Sequence, residues 1–241
     1  MKEHFEIILL LGRPASGKSE IIDYLKKTPV PERLRRFHIA EFEEIDDFPM
    51  LWTWFEEDAI LEKVMHKPRV HSDSDGYFLH PYQWDLLIER ISLEYRKKLR
   101  DAAYAEDKTT LIEFSRGTEH GGYASAFRHL SEDILEKASV LYVDVPYEES
   151  LRKNRRRFNP DRPDSILEHG LPDAKLERLY KDVDWEGFKG TDPRFIRASD
   201  RRIPYAVFDN MPEKTDRPDV LGAHLEAVLT RLWSGRREVR P

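Results

Sequence analysis

The sequence predicts an α/β fold built on a parallel sheet. Stretches of apolar residues alternate along the chain with patterns that have the period of an amphipathic helix. The first stretch, residues 7–11 (Ile-Ile-Leu-Leu-Leu), passes directly into Gly12. Five apolar residues in succession are typical of a strand that is buried on both faces, as in the middle of a parallel sheet.

The loop after this strand carries the most specific motif in the chain. It fits the pattern G-x-x-x-x-G-K-[ST] and consists of Gly12, Arg13, Pro14, Ala15, Ser16, Gly17, Lys18 and Ser19. A helical pattern follows at residues 20–27, and strand, glycine loop and helix in this order predict a phosphate-binding loop. All eight residues are therefore candidates for binding a nucleotide. We expect Lys18 to reach the β- and γ-phosphates and Ser19 to place its hydroxyl on Mg²⁺.

Composition excludes several classes of protein. The 241 residues are 39% hydrophobic, which is enough for a core, and they carry a net charge of −6. That charge gives no general attraction to nucleic acid or to an anionic membrane, although nucleic acid stays open as a partner. The absence of cysteine excludes disulfides, thiolate catalysis and cysteine-based zinc sites. Without a signal peptide or an apolar run long enough to cross a bilayer, we expect a cytoplasmic protein with no membrane partner.

The remaining elements follow from periodicity and from turn residues. Further strands are predicted at residues 36–40, 109–113, 139–145 and 203–210. Pro204 near the start of the last strand predicts a position at the edge of the sheet. Helices are predicted at residues 52–65, 83–105, 124–137, 147–158, 173–181 and 219–233. Residues 236–241 are expected to form a frayed tail.

Acidic residues follow two of the predicted strands, where the ligand crevice of a parallel sheet lies. Asp46 and Asp47 come after the second strand, and one of them is a candidate to accept a proton from an attacking hydroxyl or to hold a magnesium-bound water. A solvated acidic loop is the alternative. Glu113, near the end of the third strand, is a candidate to organise Mg²⁺ together with Ser19. Arg116 could touch phosphate or acceptor, and the glycine-rich loop at 117–122 would suit movement with ligand.

A dense group of arginines follows the strand at 139–145. Residues 152–162 contain six basic side chains and one acid in a chain that is otherwise acidic. Guanidinium groups are always charged and bind two oxygens at once, so this cluster favours contact with phosphate. A solvated basic helix face and a nucleic-acid contact are the alternatives.

Together these residues resemble P-loop kinases of the nucleoside, nucleotide and small-metabolite type. The resemblance rests on the loop at 12–19 with its Pro14-Ala15-Ser16 spelling, on the acidic strand end at Glu113, and on the strand, Pro146 and helix that lead into the arginines. The stretch Asp46-Asp47-Phe48-Pro49 is also similar to the Asp-Asp-Phe loop of uridine-kinase-like enzymes, in which an aspartate is thought to act as base.

The resemblance implies a three-layer α/β/α P-loop NTPase fold with a parallel sheet of about five strands. It implies a single kinase-like domain over residues 1–241, with a helical acceptor-side segment at 50–105 and a lid-like excursion at 152–202. The implied cofactors are ATP and Mg²⁺, and the implied activity is phosphoryl transfer to a small acceptor, such as a nucleoside, a nucleotide or a metabolite, that bears a hydroxyl or a phosphate. The candidate catalytic residues are Lys18, Asp46, Asp47, Arg152, Arg155 and Arg156.

Other functions fit the same loop. A regulatory ATPase would use hydrolysis to control a partner, and a kinase for RNA ends or for a protein would dock its substrate on residues 152–162. A nucleotide-binding module without turnover is a further alternative. A GTPase is disfavoured, because the tetrapeptide N-K-x-D that reads guanine is absent from the sequence.

Overall fold

The computed structural model describes residues 2–100, 104, 107–157, 161 and 170–240. Its strands are β1 (Ile7–Gly12), β2 (Glu41–Asp46), β3 (Lys108–Phe114), β4 (Ala138–Asp144), β5 (Phe195–Ala198) and β6 (Arg201–Asp209). They form one sheet in the order β2-β3-β1-β4-β6-β5. The first five strands in that order are parallel, and β5 pairs antiparallel with β6. The predicted parallel sheet of about five strands is confirmed, with one antiparallel strand added at an edge.

Helices connect the strands and cover both faces of the sheet. They are α1 (Lys18–Lys27), α2 (Val30–Phe37), α3 (Asp47–Lys63), α4 (Tyr82–Lys98), α5 (Gly122–His129), α6 (Glu132–Lys137), α7 (Tyr147–Arg157), α8 (Asp173–Tyr180), α9 (Trp185–Lys189) and α10 (Pro218–Val239). A short 3₁₀ turn covers Thr118–His120. None of these helices is both long and apolar enough to cross a membrane.

Alternation of side chains along β1 explains the layers. Ile7, Leu9 and Leu11 pack on one face with buried residues of α4, α5 and α6. Ile8 and Leu10 pack on the other face with α1, α2 and α10. Successive residues of a strand point to opposite faces, so a strand that is apolar throughout requires helices on both sides. This is the three-layer α/β/α architecture that the sequence predicts.

The second strand lies later in the chain than residues 36–40, and that prediction is wrong. Residues before it form α2, and His38 then takes a left-handed conformation with a φ of 54°. Strand β2 lies at the sheet edge, and its Glu43 binds Lys98 and Lys108 at 2.6 Å each. Its charged side chains do not form an apolar run, so the pattern that predicts the other strands does not predict this one. Consequently Asp46 ends a strand and Asp47 begins a helix, rather than both lying in a loop.

The edge position predicted from Pro204 is also wrong, because β6 lies between β4 and β5. Pro204 is opposite Phe195 of β5, whereas pairing with β4 begins one residue later, at Tyr205. The proline therefore sits where the strand passes from one partner to the other, and its missing N–H removes no bond to β4. Strand β5 itself falls within the predicted excursion, where no strand was expected.

Two predictions about helices are corrected. The helix predicted at 124–137 is two helices, α5 and α6, because Leu130 and Ser131 between them have extended backbone. The predicted frayed tail is instead helical through Val239, and Arg236 within it is buried. The guanidinium of Arg240 donates to the carbonyl oxygens of Lys137 and Ala138 at 2.6 Å each, which ties this end to the start of β4.

The segments expected beside the site are partly described. Helices α3 and α4 supply the helical segment predicted at 50–105, although residues 101–103 and 105 lie outside the described residues. In the excursion predicted at 152–202, residues 158–160 and 162–169, including Arg162, lie outside them too. The described remainder packs against the sheet, where Trp185 stacks on Tyr142 with 4.0 Å between ring centroids.

The glycine-rich loop at 117–122, which was expected to suit movement with ligand, is fixed by contacts with another segment. A Cβ atom at Gly117 would overlap the carbonyl oxygen of Leu179, and the Thr118 N–H donates to the carbonyl of Asp182 at 2.9 Å. The loop after β3 is therefore in close backbone contact with the segment that follows α8.

Candidate active site

The loop at 12–19 has a backbone conformation that its two glycines permit. Gly12 has a φ of 150°, and a Cβ atom there would lie 2.6 Å from the carbonyl oxygen of Val143. Gly17 has a φ of 114° and caps the N-terminus of α1. The loop thus delivers backbone N–H groups to a helix start, where anions bind favourably. The Ser16 hydroxyl is fully buried in the loop with no partner among the described residues, so a ligand could satisfy it.

Lys18 folds back over this loop. Its ammonium donates to the carbonyl oxygens of Gly12 and Arg13 at 3.3 and 2.9 Å, and to the Ser115 hydroxyl at 3.0 Å. The nearest carboxylate oxygen of Glu113 is 3.7 Å away. Burial lowers the pKa of Lys18, and the negative charge of Glu113 opposes that shift. The lysine charge is therefore fixed between the loop and the end of β3.

The Arg13 side chain points out of the loop. Its guanidinium donates to the carbonyl oxygens of Tyr180, Val145 and Lys181 at 3.2, 2.9 and 3.2 Å. The Ser150 hydroxyl, on α7, donates to the carbonyl of Pro14 at 2.7 Å. These bonds attach the loop to α7 and to the end of α8. Arg13 contributes its backbone to the loop, and its side chain holds a neighbouring segment.

Three carboxylates meet at the ends of β2 and β3. Asp46 and Glu113 are register partners on these adjacent strands, and Asp47 follows directly. The Asp46 carboxylate accepts the N–H of Phe48 at 2.9 Å and so caps α3. Burial, with the negative charges of Glu113 and Asp47, raises the pKa of Asp46 to about 8. Burial also raises the pKa of Glu113, although the Lys18 charge acts in the opposite direction.

Asp47 is bound to an arginine that the sequence left without a defined role. The Arg116 guanidinium donates to Asp47 Oδ2 at 2.6 Å, and to the carbonyl oxygens of Ser115 and Trp84 at 2.7 and 3.2 Å. Arg116 is only 2% exposed and Asp47 7%. The pair neutralises Asp47, whereas no side-chain cation is bonded to Asp46 among the described residues, and the positive charge that acts on it is that of Lys18.

Helix α7 divides the arginine cluster. Arg152 binds Glu149 and Glu213, and Arg155 binds Asp173. Both arginines are exposed on α7. Arg156 binds Glu213 at 3.1 Å and lines the cleft. Arg157 also lines the cleft, is half-buried, and its charge lowers the pKa values of both Lys18 and Glu113. The structure thus brings Arg156 and Arg157 to the site and holds Arg152 and Arg155 outside its lining.

The loop after β6 contributes residues that lie outside the predicted catalytic, nucleotide-binding and metal sets. Asn210 is fully buried, and its amide donates to the carbonyl of Ser16 at 2.8 Å and to the Thr215 hydroxyl at 3.1 Å. The buried Lys153 donates to Thr215 at 3.2 Å and binds Glu213 at 2.9 Å. The one available signal was a polar residue, Asn210, at the end of a predicted strand.

One open cleft of about 940 Å³ runs along this site. Its polar lining includes Ser19, Asp46, Asp47, Glu113, Ser115, Lys153, Arg156, Arg157 and Thr215, and Lys18 is bonded to Ser115 of that lining. Strands β2 and β6 lie on opposite sides of β1, so the carboxylates and Thr215 stand on opposite sides of the loop at 12–19. The carboxylate side is walled by Phe48, Leu51, Trp84 and Tyr180. Because Lys18 leans toward Ser115 and Glu113, a terminal phosphate held by it would face that side.

The donor set fits Mg²⁺ only together with a phosphate ligand. Ser19 and Glu113 both line the cleft, and Ser19 is exposed to it. Within the described residues, no group of three or more His, Cys, Asp or Glu side chains could hold a metal ion. Mg²⁺ is commonly bound by one or two protein oxygens plus substrate phosphates and water, and these two residues match that pattern.

No protein-family model and no curated protein sequence matches this chain. Among solved structures, it is similar to a sugar kinase from Janibacter sp. HTCC2649, with 13% identity and a TM-score of 0.44 over 94% of this chain and 95% of that one. It is also similar to shikimate kinase from Acinetobacter baumannii in complex with shikimate, with 15% identity and a TM-score of 0.34 over 73% and 76% of the two chains. These likenesses are too remote to assign chemistry.

Proposed function

We propose that this protein is a phosphotransferase that uses ATP and Mg²⁺ to phosphorylate a hydroxyl group of a small molecule. The observation that carries the proposal is the position of Lys18. It lies 3.7 Å from Glu113, between the loop at 12–19, which can bind an anion at the start of α1, and Asp46, a carboxyl group whose pKa is raised. A loop alone supports nucleotide binding. A cleft that continues from the lysine to a candidate base supports transfer to a second substrate.

The sheet order supports opposite directions for the two substrates in this proposal. The nucleoside part of ATP is assigned to the Thr215 side, and the acceptor to the side of β2, beyond Lys18. The loop at 12–19 and Lys18 bind the β- and γ-phosphates, and Ser19 and Glu113 hold Mg²⁺. When bound, Mg²⁺ neutralises charge on the phosphoryl group that is transferred.

Asp46 is the proposed base. In the transfer step the acceptor oxygen forms a bond to the γ-phosphorus, the bond from that phosphorus to ADP breaks, and the hydroxyl proton moves to the Asp46 carboxylate. A pKa of about 8 lets this carboxyl exchange a proton near neutral pH. Asp47, neutralised by Arg116, positions the start of α3 instead.

The arginines have graded roles in this proposal. Arg156 and Arg157 line the cleft, so they are placed to stabilise charge on the transferred group. Arg152 and Arg155 would reach it only after leaving Glu149, Glu213 and Asp173. We expect their contribution to be smaller.

The test compares Lys18→Ala with Lys97→Ala, a control at an exposed position near the end of α4 and outside the cleft. Each variant is incubated with Mg²⁺, ATP and a panel of nucleosides, sugars, amino alcohols and their phosphates, and phosphorylated products are measured beside free phosphate. Product from wild type and Lys97→Ala, with none from Lys18→Ala at unchanged folding, supports the proposal. Full activity of Lys18→Ala contradicts it, and ATP hydrolysis without any phosphorylated product favours a regulatory ATPase.

A further inference from the structure

The acceptor half of the cleft has an unusual balance of charge. Its wall consists of Asp46, Asp47, Phe48, Leu51, Trp84 and Tyr180. Glu113 lies beside Asp46 at the inner end, toward Lys18. The wall therefore offers carboxylates and apolar or aromatic surface to whatever binds there.

Arg116 is the one described cation at this wall, and its hydrogen bonds are already made to other groups of the protein. It donates to Asp47 and to two backbone carbonyls, and it is 2% exposed. An incoming phosphate or carboxylate could recruit it only by displacing Asp47. That exchange would leave a carboxylate unpaired at a buried position, which is strongly unfavourable.

The other described cations of the cleft lie elsewhere. Lys153 and Arg156 bind Glu213 on the side of Thr215. Lys18 and Arg157 are at the inner end, where the phosphates of the donor would lie. Lys26 and Lys27, at the far end of α1, are paired with Glu44 and Asp23. Among the residues described, Lys153, Arg156, Lys26 and Lys27 are thus paired away from the wall, and the charges of Lys18 and Arg157 act on Glu113 at its inner end.

We propose that the acceptor is an uncharged or cationic hydroxyl compound with an apolar or aromatic part, and that compounds bearing a phosphate or a carboxylate are excluded. The proposal rests on the proposed function, because it assigns the substrate class of the same site. An anion needs a positive partner to replace the water it loses on binding, and in the described part of this wall the one cation, Arg116, is already paired with Asp47. A hydroxyl, an amine or an aromatic ring has suitable partners there.

The experiment uses pairs of compounds that differ by one anionic group. The pairs are uridine and uridine 5′-phosphate, glucose and glucose 6-phosphate, ethanolamine and phosphoethanolamine, and sorbitol and gluconate. Binding is measured by calorimetry on the full chain loaded with Mg²⁺ and a non-hydrolysable ATP analogue, and phosphoryl transfer is measured separately with ATP. We expect the member without the anionic group to bind at least about tenfold more tightly wherever either binds.

A charge variant separates electrostatic exclusion from a simple lack of space. Asp47→Asn leaves the Arg116 charge uncompensated, so affinity for the anionic member should rise about fivefold while affinity for its partner changes less than about twofold. Glu226→Gln, which removes a carboxylate bonded to Arg36 outside the lining of the cleft, is the matched control and should change neither. Equal weakening of both members by Asp47→Asn would indicate a structural role and contradict the proposal.

The two proposals fail in different ways. Tight binding of an anionic member, or transfer of phosphate to it, overturns the acceptor class and leaves the kinase intact. Binding of uncharged members without transfer to any of them supports the acceptor class and counts against the kinase. A panel in which no compound binds counts against both.

Discussion

The carboxylate of Asp47 lies 2.6 Å from the guanidinium of Arg116, and both side chains are buried. The two residues are 69 positions apart in sequence and join the start of α3 to the end of β3. Removing one member of a buried pair leaves the other charged without a partner, whereas an exposed pair contributes little.

We expect Arg116→Met to lower the free energy of unfolding by about 3–5 kcal/mol. Arg152→Met, which removes an exposed guanidinium paired with Glu149 and Glu213, should lower it far less. Urea denaturation of both variants at pH 7 makes the comparison. Equal losses would show that the buried pair has no special weight in stability.

Asp46→Asn should remove a pH dependence of stability. The pKa of Asp46 is raised from 3.8 to about 8 in the folded protein, so the folded chain holds this proton more tightly than the unfolded chain. The resulting stability is present at low pH and is lost as pH rises through about 8. Asparagine is neutral throughout and its side-chain oxygen can still cap α3, so the variant should match wild type near pH 4 and exceed it by at least about 1 kcal/mol at pH 9.

The measurement for Asp46 is the difference in unfolding free energy across this pH range. Asp173→Asn is the control, because the pKa of that exposed carboxyl is lowered by Arg155. A constant difference between Asp46→Asn and wild type would mean that the carboxyl titrates normally.

Arg157 should matter more to turnover than Arg155. Both belong to α7, but they have different surroundings. The charge of Arg157 acts to lower the pKa values of Lys18 and Glu113, whereas Arg155 binds Asp173 at the surface. We expect Arg157→Gln to lower kcat about 100-fold or more, as the loss of a charge-stabilising group does. Arg155→Gln should lower kcat by less than about threefold. The reverse ranking in steady-state kinetics would place the other face of α7 toward the substrates.

Asn210→Asp should weaken nucleotide binding. The substitution keeps the side-chain shape but removes the amide that donates to the Ser16 carbonyl, so a buried acceptor loses its partner at a cost of about 1–3 kcal/mol. We expect the Kd for Mg·ATP to rise about tenfold, measured by calorimetry. Met211→Ala, at the exposed next position, is the control. Unchanged affinity in Asn210→Asp would show that the loop at 12–19 keeps its shape without this bond.

The parts predicted well from sequence are those set by neighbouring residues. The loop at 12–19 and the strand that precedes it follow from local patterns, because apolar runs and glycine positions need no distant partner. The positions of Lys18, Ser19 and Glu113 in one cleft follow from the rule that parallel strands end at one edge.

What sequence reasoning missed depends on distant contacts. Strand β2 is stabilised at Glu43 by Lys98 at the end of α4 and by Lys108 at the start of β3, both far along the chain. The pairing of Asp47 with Arg116, and the bond from Asn210 to Ser16, join segments that are far apart in the chain. For α7, the spacing of its arginines separates two faces, but packing of the helix decides which face lines the cleft.

Strand β2 has a consequence for association between molecules. As the outermost parallel strand, it has one edge whose backbone donors and acceptors pair with no other strand of the described residues, the kind of surface on which a second chain can add a strand. Its sequence, Glu-Phe-Glu-Glu-Ile-Asp, places four carboxylates along that row. A second copy aligned there would bring like charges together. The acidic residues that keep this strand from being predicted as an apolar run therefore also disfavour edge-to-edge aggregation of the sheet.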